Sequence, residues 1–364
     1  MAGFDLGAEV KKQVEKVLEE RGRVNVVIAG RTGVGKSTLV NAVFQGQLAE
    51  TGQGRPVTRS TREISKEGIP LTVFDTRGLE LDRYPDTVAD LERLVKDRAA
   101  RPSPLEHLHV AWVCVTEDSR RVEEGETRLH ALLASHMPVL GVVTKARADQ
   151  GFRAEVQRLL PLARNVVRVR ALAEEDDEGN LLRPRGLVEL VDATMEVVPE
   201  GQRNAFAAAQ RVNTAQKVAR AHGLVAASAA TAAGIGAAPI PFSDSVLLVP
   251  MQVGMLAGIT AVFGLPLDRG FLTTLIGSAL GSGGASLAGR AILGGLLKLL
   301  PGAGSVAGGA IAAATAASLT TVVGEAYIRT LVALLDRTGG RTPTERDVAE
   351  AFGAELDRRK GAAR

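Results

Sequence analysis

The stretch GRTGVGKS (30–37) combines glycines, a lysine and a hydroxyl in a spacing that suits phosphate binding. Glycines let the backbone curl so that its N–H groups face phosphate oxygens, and a helix that begins there points its positive end at the same charge. Lys36 would add a cation, and Ser37 a hydroxyl for a magnesium ion. The residues expected to bind the phosphates are Gly30, Arg31, Thr32, Gly33, Val34, Gly35, Lys36, Ser37 and Thr38.

A second polar motif, DTRG (75–78), closes the apolar run LTVFDT. Taken alone, it is also compatible with a strand followed by a turn. Between the two motifs lies an arginine-rich stretch that contains Thr58 and Thr61. A phosphate loop, a threonine and a DxxG motif in this order resemble the P-loop GTPases of the Era-like and septin-like (TRAFAC) class.

The resemblance implies roles for single residues. Thr58 would close over magnesium and the γ-phosphate, with Thr61 as the alternative for this role. Asp75 would hold the magnesium through water, and the Gly78 amide would sense the γ-phosphate. The implied metal-binding set is Ser37, Thr58 and Asp75, the implied catalytic residues are Lys36 and Thr58, and the implied ligands are GTP or GDP and Mg²⁺.

The fourth motif of that class, [NT]KxD, is incomplete here. Thr144 and Lys145 match, but Arg147 stands where the guanine-reading aspartate belongs, and arginine has no hydrogen-bond acceptor. Three accounts remain: Asp149 reaches the base through a longer turn, the site has lost selectivity, or the backbone alone reads the base. We favour Asp149, because Gly151 lets the loop turn back before the next helix. The Ala171 amide is the expected contact from the fifth motif.

The sequence after DTRG predicts slow hydrolysis. Leu79 and Glu80 stand where many relatives of Ras carry a water-orienting glutamine. The arginines near the expected phosphate site could act as arginine fingers, although each is more often a solvated charge. These arginines are Arg31, Arg59, Arg62 and Arg77. The acidic run 174–178 indicates a solvated loop, and the five histidines show no zinc-ligand spacing.

Apolar strand-like runs alternate with helical stretches from about residue 24 to 200, which predicts an α/β fold with a mostly parallel sheet and flanking helices. The runs are VNVVIA, LTVFDT, HVAWVCV, VLGVVT and NVVRVRA, and the helical stretches include 84–98, 123–136 and 186–198. We expect an amphipathic helix over 1–22, a G domain over 23–200, a connecting helix over 201–222, an Ala/Gly-rich all-α domain over 223–340 and a charged helix over 341–364. Thr342 is the expected N-cap of that last helix, with Glu345 closing a capping box.

The segment 223–324 holds only five charged residues. Its uncharged stretches 223–243, 245–267, 271–289 and 299–324 are each near the length that a membrane helix needs, and glycines spaced four apart allow helices to approach closely. A soluble bundle of Ala/Gly-rich hairpins fits the same pattern, but we favour membrane association. Motifs such as PIPFSD (239–244) and LLPGAGSVAGG (299–309) resemble a helical domain of unknown function that follows such GTPases in bacteria.

Composition narrows the partners. The net charge is +3, aromatic residues make up 3% of the chain, and the single cysteine lies in an apolar run. We expect a cytoplasmic protein, associated with the cytoplasmic face of a membrane, that binds guanine nucleotide and works with a second copy or an activating protein. The favoured hypothesis is a slow, Mg-dependent GTPase switch that controls the helical domain. The alternative is a pseudo-GTPase scaffold, while adenine specificity and nucleic-acid binding are less favoured.

Overall fold

The computed structural model describes residues 6–45, 48, 55–56, 61–76, 84–176, 178–237, 244–267, 269–280, 309–338 and 342–362. The chain forms two compact units. One unit runs from Arg21 to Asn213, and the other joins residues 1–20 to the segment Thr214–Arg364. Each unit is built around its own buried apolar clusters.

The first unit contains a seven-stranded sheet. Its strands are β1 (Val24–Ala29), β2 (Arg55–Pro56), β3 (Thr61–Ser65), β4 (Leu71–Thr76), β5 (Val110–Thr116), β6 (Val139–Thr144) and β7 (Asn165–Arg168). Their order is β2-β3-β4-β1-β5-β6-β7. Strands β4, β1, β5, β6 and β7 are parallel, and β2 and β3 pair antiparallel at one edge. The parallel strands were predicted, but β2 and β3 were not, because residues 55–65 lack a long apolar run.

Helices cover both faces of this sheet, as the nearly continuous apolar strands require. They are α2 (Lys36–Val43), α3 (Tyr84–Ala99), α4 (Glu124–Ala134), α5 (Phe152–Leu159), α6 (Leu187–Val197) and α7 (Arg203–Ala209). On one face the rings of Phe44 and Trp112 stack 5.5 Å apart. Two further short strands, β8 (Glu174–Glu175) and β9 (Leu181–Leu182), form a separate hairpin. The fold is therefore the predicted α/β sheet with helices on either side.

The prediction of one connecting helix over 201–222 is wrong, because residues 210–213 are not helical and separate two helices. Helix α7 ends at Ala209, and α8 (Thr214–Ala237) begins a new element. The Gln210 side chain accepts the amides of Val212 and Asn213, each at 2.8 Å, which turns the chain. Phe206 packs edge-on against Phe44, so α7 completes the core of the first unit instead of linking the two units.

The second unit is all-helical in its described residues. It contains α1 (Leu6–Arg21, of which Arg21 is assigned to the first unit), α8, α9 (Asp244–Phe263), α10 (Arg269–Leu280), α11 (Gly309–Arg337) and α12 (Glu345–Ala362). The N-terminal helix, expected as a separate segment, contributes Val10 and Val14 to this core. Tyr327 on α11 donates or accepts a 2.9 Å hydrogen bond with Thr260 and packs 5.0 Å from Phe352.

The ends of the helices in this unit do not coincide with the ends of the uncharged stretches identified in the sequence. Pro250 lies inside α9 and does not end it. Helix α11 runs on through Glu325 to Arg337, past the end of the expected stretch at residue 324. Among the described residues, one segment, Ala313–Arg337, is long and apolar enough to cross a membrane, and 56% of its most apolar window is buried within the protein.

The cap of the C-terminal helix also differs. Thr344, and not Thr342, begins α12: the Thr344 Oγ1 accepts the Asp347 amide at 3.2 Å, and the Asp347 carboxylate accepts the Thr344 hydroxyl at 2.6 Å. Pro343 is buried just before the cap. The chain offers two overlapping capping patterns here, and the structure uses the second one.

Candidate functional site

The loop between β1 and α2 forms a cradle around Lys36. The Lys36 Nζ donates to the Gly30 carbonyl at 2.8 Å and to the Arg31 carbonyl at 3.0 Å. Gly33 and Gly35 have φ of +80° and +91°, values that favour glycine. Ser37 and Thr38 lie exposed in the first turn of α2. The helix N-terminus, the lysine and two hydroxyls are therefore all at the start of α2. This arrangement suits a polyphosphate.

Gly30 marks where the loop leaves the sheet. Its φ is +147°, and a Cβ there would lie 2.4 Å from the Cys114 carbonyl oxygen on β5. Cys114 is buried, and burial raises the pKa of its thiol to about 12. The single cysteine is therefore a core residue, and the glycine is required by the close approach of two neighbouring strands.

Asp75 lies at the same end of the sheet as the phosphate loop. In the parallel pairing of β1 and β4 it stands beside Ile28, two residues before Gly30. The next residue, Thr76, fixes the strand end by donating from its Oγ1 to the Ile28 carbonyl at 3.2 Å. Ser37 and Asp75 together offer a hydroxyl and a carboxylate oxygen, the donor types that Mg²⁺ prefers, so the described residues fit this ion.

Of the predicted switch residues, the structure describes Thr61. Thr58 and Gly78, with Arg59 and Arg77, lie outside the described residues. Thr61, the alternative to Thr58, is the first residue of β3, where it is buried and pairs with Thr76 of β4. Thr61 is thus part of the sheet in this structure, which leaves Thr58 as the prediction for the switch role.

Thr144 joins the loop after β6 to the phosphate loop. Its Oγ1 lies 2.6 Å from the Val34 carbonyl, to which it donates, and 3.2 Å from the Val115 carbonyl. Lys145 follows with a φ of +53°, which turns the chain sharply at the strand end. The structure thus brings the residues predicted from the first and fourth motifs together.

The two residues that follow β7 hold the next residue of this loop, Ala146. The Ala146 amide donates to the Val169 carbonyl at 3.1 Å, and the Arg170 guanidinium donates to the Ala146 carbonyl at 2.9 Å. Ala171, the predicted base contact, directly follows this buried arginine. The loops after β6 and β7 therefore form one surface beside the phosphate loop.

Arg147 is held by two carboxylates. Its amide donates to Glu117, which is buried just after β5, and its guanidinium lies 3.4 Å from Glu174 on β8. Arg168 also donates to Glu117, at 2.6 Å. Burial opposes ionisation of Glu117, but the hydrogen bonds from Arg168 and from the Arg147 amide outweigh it and lower the pKa of this carboxyl.

The Asp149 side chain acts on α5 in this structure. Its Oδ1 accepts the Arg153 amide at 2.8 Å and lies 3.5 Å from the Arg168 Nε. Its carbonyl accepts from Arg120 at 2.6 Å. Base recognition by Asp149 stays a prediction. To bind a base through Oδ1, the carboxylate would have to give up its contacts with the Arg153 amide and Arg168.

A charge cluster beside the phosphate loop was not predicted from the sequence. Arg31 pairs with Glu123, the N-cap of α4, and the Glu126 carboxylate accepts the Glu123 amide at 2.9 Å. Glu126 is buried, and burial raises the pKa of its carboxyl to about 7. The spacing Glu123-x-x-Glu126 signals a helix start, but no local pattern connects it with Arg31, which is distant in sequence.

A parallel sheet in this order, with a glycine-rich loop and a lysine between β1 and α2, defines a P-loop G domain. The comparisons agree. Residues 25–145 match the family model of the 50S ribosome-binding GTPases. This part of the chain is therefore a P-loop G domain, and helices follow it. Within the part that the structure describes, no three His, Cys, Asp or Glu side chains are grouped as a metal site would need.

Two curated relatives carry the name tRNA modification GTPase MnmE. The protein of Paracidovorax citrulli (strain AAC00-1) is 32% identical over 157 residues, which cover 41% of this chain and 32% of the relative. That of Ruegeria sp. (strain TM1040) is 29% identical over 217 residues, which cover 55% and 49%. The chain thus spans between a third and a half of these relatives' length.

Among solved structures, a probable GTP-binding protein engB is similar at 17% identity with a TM-score of 0.35, over 48% of this chain and 98% of that one. Toc33 from Arabidopsis thaliana, solved with Mg²⁺ and GMPPNP, is similar at 17% identity with a TM-score of 0.34, over 52% and 90%.

Proposed function

We propose that this chain is a guanine-nucleotide switch that hydrolyses GTP slowly with magnesium and whose nucleotide state controls the helical unit. The observation that carries the proposal is the Lys36 cradle, with Asp75 at the adjacent strand end and Thr144 tied to Val34. These contacts hold the phosphate loop, the Asp75 carboxylate and the loop after β6 at the same end of the sheet.

Each residue has a role in this proposal. Lys36 would exchange its two carbonyl contacts for phosphate oxygens, and the exposed Ser37 with Asp75 would hold the magnesium together with Thr58. A bound magnesium ion supplies charge neutralisation for the phosphates. The Gly78 amide would sense the γ-phosphate, and Lys145 and Ala171 would flank the base.

Hydrolysis is proposed to be slow, because Leu79-Glu80 provides no glutamine to orient water. Turnover should lie roughly between 10⁻⁴ and 10⁻² per second without help in trans. Arg31, which lies in the phosphate loop and is held by Glu123, is the candidate among the described arginines for release towards the phosphates. A second copy of the chain or an activating protein would supply further acceleration.

The helical unit is proposed to associate with the cytoplasmic face of a membrane. The support is the low charge of residues 223–324 and the apolar segment Ala313–Arg337. The close helix approaches at Gly258 and Gly324 serve a soluble bundle equally well, because their neighbours are Leu224 and Val225 within the same unit.

Nucleotide titration of the purified full chain tests the proposal. We expect GTP and GDP to bind in preference to ATP, magnesium to be needed for phosphate release, and Lys36→Ala to weaken triphosphate binding greatly. Lys96→Ala, which removes an exposed lysine that pairs with Glu92 on α3, is the control. Unchanged affinity in Lys36→Ala would rule out the phosphate site.

A pseudo-GTPase scaffold is the second candidate, favoured by Leu79-Glu80 and by Arg147 in the place of an aspartate. It predicts nucleotide binding and thermal stabilisation with no phosphate release above that of Lys36→Ala. RNA binding, suggested by the names of the curated relatives, is less favoured because aromatic residues make up only 3% of the chain. Salt-dependent retention of tRNA would revive it.

A further inference from the structure

The edge of guanine presents N1–H and N2–H₂ donors, so a protein that selects this base offers an acceptor, and a carboxylate binds such donors most strongly. Ligands of parallel sheets bind at the carboxyl ends of the strands. The loops after β6 and β7 lie there beside the phosphate loop, and Glu117, Asp149 and Glu174 are the carboxylates that contact their residues in the contacts described above.

Two of these carboxylates are already committed to holding the protein together. Glu117 receives the Arg147 amide on one oxygen and Arg168 on the other, and only 2% of its side chain is exposed. The Asp149 Oδ1 accepts the Arg153 amide in the first turn of α5 at 2.8 Å and faces Arg168, although 37% of this side chain is exposed. Taking either for a base would leave the Arg153 amide or the largely buried Arg168 without its carboxylate.

Glu174 differs from Glu117 in being partly exposed, and from Asp149 in that its described side-chain contact is longer than the 2.8 Å bond that Asp149 accepts. One third of its side chain is exposed (33%), and its Oε2 lies 3.4 Å from Arg147, the residue in the place of the missing aspartate. A guanidinium at this long distance orients a carboxylate without saturating it, because each carboxylate can accept several hydrogen bonds.

The hairpin that carries Glu174 is anchored to the end of β7. Arg170 and Arg185 exchange two backbone hydrogen bonds, at 3.1 and 3.0 Å, and Glu174 pairs with Leu182 across the hairpin. The Asp176 carboxylate accepts the Asn180 amide at 2.7 Å and so closes the turn. The hairpin is therefore a fixed support that holds Glu174 over the loop after β6.

We propose that Glu174, oriented by Arg147, supplies the acceptor for the guanine edge in place of the aspartate that the fourth motif lacks. This inference rests on the proposed nucleotide-binding function. Arg147 is a positioning residue: its guanidinium acts on the base through Glu174, which explains how a residue without an acceptor can occupy this place.

The test uses xanthosine triphosphate (XTP), whose base replaces the N2 amine of guanine with a carbonyl. Glu174→Gln offers one acceptor and one donor, which match xanthine and mismatch guanine. In titrations of the full chain, GTP affinity should fall about tenfold to a hundredfold while XTP affinity rises. Glu175→Gln, the next residue of the same hairpin, should change neither. Arg147→Ala should narrow the GTP-over-XTP preference, and Arg147→Lys should retain most of it.

The outcomes show which carboxylate binds the base. A Glu174→Gln chain with an unchanged GTP-to-XTP ratio overturns the inference. If Asp149→Asn shifts that ratio and Glu174→Gln does not, Asp149 reads the base. If wild type binds neither nucleotide, or if Lys36→Ala binds as wild type does, the proposed function itself fails, and this result is distinct from a loss of selectivity alone.

Discussion

At the residue scale, the site depends on side chains whose partners are far away in sequence. Thr144 matters because it reaches Val34, and Arg31 matters because it reaches Glu123. Each of these contacts joins the phosphate loop to another element: the first to the end of β6 and the second to the start of α4. The chemistry of the phosphate loop is local, but its surroundings are set by such contacts.

Gly30 should tolerate no side chain. Gly30→Ala places a Cβ against the Cys114 carbonyl at a φ of +147°, so we expect a loss of roughly 1–3 kcal/mol in the free energy of unfolding. Gly68→Ala is the matched control, because its φ is +82° but no atom lies within 4 Å of a Cβ there. Chemical denaturation should show the smaller loss for Gly68→Ala, and equal losses would contradict the close approach.

Glu126 should make stability depend on pH. Its pKa is raised to about 7 by burial, so the folded state favours the protonated form. The stabilisation is complete below about pH 4.5, the unfolded value, and is lost as pH rises through about 7. The loss amounts to about 2–3 kcal/mol by linkage.

The measurement is the difference between wild type and Glu126→Gln in urea denaturation from pH 4.5 to 8. The amide keeps an acceptor for the Glu123 amide but does not titrate. The difference isolates Glu126 from the buried His109 and His130, whose pKa values are lowered by desolvation and which add stability as pH rises. Parallel pH profiles for the two proteins would show that Glu126 does not titrate in this range.

Releasing Arg31 should strengthen triphosphate binding. Glu123→Gln removes the charge that holds the guanidinium, so Arg31 becomes available to phosphate oxygens, and we expect GTP to bind several-fold tighter, on the order of 1 kcal/mol. Glu124→Gln is the control, because Glu124 pairs with Arg128 instead. Titration of both variants with GTP and GDP checks the prediction, and weaker GTP binding by Glu123→Gln would mean that the ion pair supports the loop.

At the element scale, the helical unit is held by glycines where helices touch. A Cβ on Gly324 of α11 would lie 2.5 Å from the Val225 side chain on α8, whereas Gly223 on α8 has open space. Close approach of two helices at a residue without a side chain gives tight packing that larger residues cannot reproduce.

This contrast gives opposite effects for the same substitution. Gly324→Ala should destabilise the helical unit by about 1–3 kcal/mol through overpacking. Gly223→Ala should stabilise it by about 0.5–1 kcal/mol, because alanine favours a helix. Thermal unfolding of the full chain measures both, and nucleotide affinity should change in neither. A stabilising Gly324→Ala would disprove the close packing of α8 and α11.

At the scale of the whole molecule, the candidate nucleotide site and the helices belong to different units. Residues 21–213 hold every described element of the nucleotide site, and helices α1 and α8 to α12 form the other unit. The sequence placed the boundary between 200 and 223, and the structure places it at Asn213 because α7 packs into the first core.

The division predicts separable behaviour. A chain limited to residues 21–213 should stay soluble and bind nucleotide with about the affinity of the full chain, because its sheet core is complete. The full chain should sediment with membranes and resist a carbonate wash. Fractionation and nucleotide titration of both chains measure this, and a full chain that is monomeric without detergent would favour the Ala/Gly hairpin bundle.

The sequence by itself determined what local patterns can carry. The phosphate loop was predictable because its glycines, lysine and strand context are contiguous, and the parallel strands were predictable because strands buried on both faces are apolar throughout. The antiparallel strand β3 was not predictable, because its residues lack a long apolar run, and the use of Thr344 as cap was not, because two capping patterns overlap there. Tertiary structure alone decided which distant groups meet, such as Arg147 with Glu174 and Arg31 with Glu123. The physical reason is that these contacts depend on the sheet order, which brings strand ends together regardless of their separation in sequence.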